Sequence, residues 1–110
     1  MTQMSLVEDT RRASLEAGQA VVVNVKTDGE LIEWAKARGI YTAVHRGTQF
    51  GNPYRIGLDG GRAEVIASYA ALLRRGDLLQ RVGPLAGHAL GCYCAPRACH
   101  ADLLALAVNQ

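Results

Sequence analysis

Residues 20–25 read "AVVVNV", and this run constrains the fold more than any other stretch. β-Branched valine packs well on a pleated surface, and a strand with one wet face alternates apolar with polar residues. This run does not alternate. Both of its faces are therefore expected to be covered, with helices on either side of a sheet.

The downstream segments offer those helices. "TDGELIEWAKARG" (27–39) carries Thr27 and Glu30 at capping-box spacing, Leu31, Trp34 and Ala35 on one face, and Gly39 as a stop. "IYTAVH" (40–45) reads as a second strand, and "RGTQFGNPYRIGLDGG" (46–61) as a long loop of the kind that serves a function in a small domain. In "RAEVIASYAALLRR" (62–75) the residues Val65, Ile66, Tyr69, Leu72 and Leu73 share a helical stripe, and "DLLQRV" (77–82) suggests a brief further helix. "HALGCYC" (88–94) reads as a third strand that alternates His88, Leu90, Cys92 and Cys94 onto one face. From Cys99, "CHADLLALAV" predicts a last helix offering Leu103, Leu106 and Ala107 to the core. Residues 1–19, with weak periodicity through Leu6, Val7 and Leu15, suggest an arm or short helix.

This alternation predicts an α/β fold over residues 20–110, a small Rossmann-like three-layer domain with a short, mainly parallel sheet. At 110 residues with 49% hydrophobic content, one domain with a modest core is expected. Three strands make a thin sheet, which leaves room for a fourth strand or for a homodimer that covers an edge. A net charge of +2 is too small to signal nucleic-acid binding, although a local basic patch keeps nucleic acid open as a partner. No apolar run approaches the roughly 20 residues of a spanning helix, and the start lacks the order of a signal peptide. A cytoplasmic protein without membrane contact is expected.

Cys92, Cys94 and Cys99 are the chain's three cysteines, and His100 directly follows the last. An odd cluster is not a secreted disulfide framework and points to metal ligation or reactive thiols. As a metal site, Cys92 and Cys94 would chelate zinc together, with Cys99 or His100 as a third ligand and His88, His45 or Asp102 as a fourth. As a reactive site, Cys99 at a helix start would have a lowered pKa, with His100 and Asp102 beside it. Small apolar packing is the plain alternative. In the long loop, Arg46 and Arg55 suit a phosphate, Gly51 lets a backbone approach one, and Asn52 before Pro53 would hold its amide outward. The plain alternative there is a solvated turn.

The stretches "VVN", "YTAVHRGTQFGNPY", "GRAEVIASY" and "LGCYCAPRACHADLL" follow one another in the chain, in an order similar to the motifs of a family of small bacterial and phage proteins. The chain thereby resembles the family catalogued as domain of unknown function 4326. The resemblance places Arg46, Gly51, Asn52 and Pro53 on the loop motif, and Glu64 and Tyr69 on the helix motif. Cys92, Cys94, Pro96, Cys99, His100 and Asp102 fall on the cysteine box. Residues 29–39 resemble an added helix relative to many members, and Ala101 stands where a glycine is usual. The family name implies no activity.

In an open α/β sheet ligands sit beyond the carboxyl ends of the strands, where the 46–61 loop and the cysteines would meet. The expected function is a crevice for a phosphorylated small molecule, a nucleotide or modified base. Cys99, His100 and Asp102 would be its catalytic candidates, and Arg46, Gly51, Asn52 and Arg55 its binding residues. The alternative is a zinc-stabilised binding module without catalysis.

Overall fold

The computed structural model describes residues 5–110, with side chains from residue 10 onward. Three strands, β1 (Val21–Asn24), β2 (Tyr41–Ala43) and β3 (Ala89–Cys92), form an all-parallel sheet in the order β1-β3-β2. Four helices accompany it: α1 (Ser5–Glu16), α2 (Gly29–Ala37), α3 (Arg62–Arg75) and α4 (His100–Val108). The segment expected as a brief helix becomes two 3₁₀ turns, Asp77–Arg81 and Gly83–Leu85. Among the described residues there is no fourth strand.

Side-chain alternation on the strands explains the layers. Val23 and Ala89 face one side and pack with Leu15, Leu31, Ile32 and Ala35 of α1 and α2. Leu90 and Cys92 face the other and pack with Tyr69, Leu73, Ala101 and Leu104 of α3 and α4. The continuous valine run is thus covered on both sides, as its lack of alternation requires. The strand order also follows from chirality. The chain moves from β1 past the β3 position to β2, then reverses into the middle. Right-handed crossovers in opposite directions must use opposite faces, which is where α2 and α3 lie.

Three local expectations need correction. Helix α2 starts at Gly29 with Asp28 as N-cap rather than with a Thr27–Glu30 box. The Asp28 carboxylate is taken by the Asn24 amide and the Arg11 guanidinium, 2.8 and 3.1 Å away. On α4 it is Leu104 that is fully buried, while Leu106 is 60% exposed, because the helix turns His100, Ala101 and Leu104 inward. Strand β3 ends at Cys92, so Cys94 lies on the loop beyond it and the expected alternation through Cys94 is lost. The contributions expected of Leu6 and Val7 fall outside the described side chains. No helix among the described residues is long and apolar enough to cross a membrane.

Candidate functional site

Parallel strands all end on one edge, and here the chain after β2, the chain after β3 and the start of α4 meet around a cleft of about 200 Å³. Cys92, Cys94, Cys99, His100, His45 and Arg46 line it, with Asn52, Tyr54, Arg62 and Tyr93. Among the described residues that line it none is acidic, whereas two are arginines.

Two thiols form the floor. Cys92, the last residue of β3, and Cys99, the N-cap of α4, bring their sulfurs to 3.3 Å. The backbone amides of Cys94 and Ala95 donate to the Cys92 sulfur, so the negative charge of the pair belongs on Cys92 and the proton on Cys99. The Cys99 thiol, as donor, holds Cys92 down to about 6 against the upward push of burial, and the two amides act with it. The same contact, with burial, pushes Cys99 up. The sequence reading that gave Cys99 the lowered pKa is therefore reversed. Being at a helix start is outweighed by the direct contact between the sulfurs.

His100 is nine-tenths buried, and its Nε2–H donates to the Val44 carbonyl at 2.6 Å. A carbonyl cannot donate, so this contact fixes the proton on Nε2 of the neutral ring. The ring also meets the edge of Tyr69, with centroids 4.9 Å apart. Burial holds its pKa below the ordinary value, the Arg46 charge adds to this, and the bond to Val44 opposes it. Asp102 does not join the site. Its Oδ2 accepts the Cys99 backbone N–H at 3.1 Å and closes the first turn of α4.

The long loop is ordered by its own polar side chains. Arg46 donates to the Asn52 and Tyr54 carbonyls, at 2.9 and 3.3 Å, which folds 46–54 back on itself and spends two of its five N–H donors. Asn52 is turned inward rather than outward. Its Nδ2 donates to the Val65 carbonyl and its Oδ1 accepts the Tyr54 amide, because a buried amide must satisfy both ends. Gly51 lies outside the cleft, on a separate shallow concavity with Gln49 and Pro53. A Cβ there would stand 2.7 Å from the His45 carbonyl oxygen, so this glycine serves the packing of the loop. Arg55 is exposed and does not line the cleft, and its backbone amide is held by Asp59.

The sulfur that Cys92 contacts is that of Cys99. Among the described residues no three His, Cys, Asp or Glu side chains form a group that could hold a metal ion. His88 sits before β3 and pairs with Thr42, roughly 13 Å along the strand from Cys92 at about 3.3 Å per residue. His45 does border the cleft, with Nδ1–H donated to the Arg46 carbonyl.

The family model for the domain of unknown function DUF4326 matches residues 23–110. The chain belongs to this family. It is 34% identical over 73 residues to an "Uncharacterized 12.4 kDa protein in nrdA-td intergenic region" of Enterobacteria phage T4, a match covering 61% of this chain and 66% of that protein. The chain thus spans just under two thirds of that relative's length. No solved structure matches it.

In this DUF4326 chain one positioning residue escaped the sequence reading. Asn24, the polar residue that ends the valine run, donates to the Ala95 carbonyl at 2.7 Å and, at 3.4 Å, to that of Tyr93. It thereby ties the cysteine loop of this DUF4326 domain to β1. A buried asparagine inside an apolar run was the available signal. Arg62, Tyr54 and Tyr93 also border the cleft unannounced, since nothing local distinguishes them from surface residues.

Proposed function

We propose that the cleft binds a phosphorylated small molecule of nucleotide type, with the Cys92 thiolate at its floor available for chemistry on the ligand. The observation that carries this reading is the lining itself. Two guanidiniums, Arg46 and Arg62, line one concavity that has no acidic residue among its described lining, beside the rings of Tyr54, His45 and Tyr93. Cations in a partly desolvated cleft favour an anion, and flat rings at its mouth suit a flat heterocycle. The first turn of α4 borders the same space and adds its positive end. Arg62 also donates to the Ala98 carbonyl, so it closes the cysteine loop as well as supplying charge. A thermal-shift panel of inorganic phosphate, nucleosides and nucleoside phosphates tests the reading. Nucleoside phosphates should raise Tm, since a ligand at a hundred times its Kd adds about 2.7 kcal/mol. The matching nucleoside without phosphate should do far less, and Arg62→Gln should remove most of the shift. An equal response to nucleoside and nucleoside phosphate would reject the anion subsite.

A further inference from the structure

We propose that Cys92 and Cys99 form a redox-active dithiol that reduces hydrogen peroxide entering through the cleft. The two sulfurs lie 3.3 Å apart, and a disulfide would bring them roughly 1.3 Å closer, to about 2.05 Å. They sit on different elements, the end of β3 and the cap of α4, joined by a short loop, so the bond closes without unravelling either.

Their environments give them different tasks. The Cys92 sulfur accepts the Cys94 and Ala95 amides and is suited to attack as the anion. Cys99, the donor of the pair, keeps its hydrogen and is placed to resolve what forms on Cys92. Access selects the oxidant. Both cysteines line the cleft yet are only 1% and 4% exposed, so a small molecule that enters the cleft reaches them and a protein disulfide does not.

The chemistry balances. The Cys92 thiolate attacks one peroxide oxygen, the O–O bond breaks, and the departing oxygen takes the proton Cys92 had lost and leaves as water. Cys92 is then a sulfenic acid. The Cys99 sulfur attacks it, the S–O bond breaks, and the hydroxyl leaves as a second water with the Cys99 hydrogen. Two thiols have given two electrons to one peroxide, and an external thiol returns the disulfide to its starting state.

The test uses the reduced full chain and hydrogen peroxide. One equivalent should lower the titratable thiols from three to one, and mass analysis should find a protein lighter by two hydrogens with a Cys92–Cys99 linked peptide. Cys99→Ser should stop at a sulfenic acid on Cys92 that dimedone captures, and Cys92→Ser should give neither the disulfide nor a dimedone adduct at residue 92. Three thiols surviving excess peroxide, oxidation confined to Cys94, or stoichiometric zinc shielding the thiols would each overturn the proposal. The inference does not require the anion subsite: the phosphate-dependent Tm shift reads one and the thiol count the other.

Discussion

At the scale of single residues, the contact between two sulfurs decides the chemistry. Because the folded state holds Cys92 as a thiolate down to about pH 6, its alkylation by iodoacetamide should rise through that pH and level off before pH 8. In Cys99→Ala the donor is gone, and the midpoint should move up toward the ordinary thiol value. Peptide mapping of the alkylated protein across pH checks both. His100 gives a second dependence. Burial lowers its folded pKa below the ordinary 6.5, so below that pH the unfolded chain binds a proton that the folded chain resists. The His100 contribution to stability is then full above about pH 6.5 and falls as the solution is acidified. Denaturant midpoints measured from pH 7.5 to 5 should fall with acid, and His100→Gln should remove the His100 share of that slope, leaving the part that Cys92 contributes.

At the scale of elements, caps and loop braces hold the cleft in shape. Asp102 closes α4 through the Cys99 amide, so Asp102→Ala should cost about 1 kcal/mol of stability while leaving Cys92 alkylation at neutral pH intact. A large loss of reactivity in that variant would instead give Asp102 a direct chemical part. Gly51→Ala drives a methyl against the His45 carbonyl and the Arg46 backbone, and should cost about 1–3 kcal/mol by overpacking, read as a lowered denaturant midpoint. These elements were largely legible in advance. Helix α3 was expected at 62–75 and occupies Arg62–Arg75, and α4 begins at His100 with Cys99 as its cap, one residue after the start its sequence suggested. Apolar stripes and stop residues are local signals, so neighbouring residues suffice to reveal them. Thr27 misled because a capping oxygen is chosen by which polar groups the tertiary fold brings near, and here Arg11 and Asn24 claim Asp28 instead.

At the scale of the whole molecule, the sheet stands only because both faces are sealed. Leu15 of α1 is buried against Val23, Leu31 and Ala89, so Leu15→Ala should cost about 2–5 kcal/mol, measured by chemical denaturation, although it lies on the far side of the sheet from the thiols. By itself the sequence determined the helices, the parallel α/β layering and the gathering of Arg46, Cys92, Cys99 and His100 at one edge. Each of these follows from short-range periodicity and from the rule that parallel strands end together. Only the tertiary structure decided that β3 lies between β1 and β2, that Cys92 pairs with Cys99 rather than Cys94, and that Asn52 turns inward to Val65. Those outcomes rest on contacts between residues distant in the chain or on opposite sides of a turn. A polar group there takes the partner that burial leaves it, and local preference cannot name that partner.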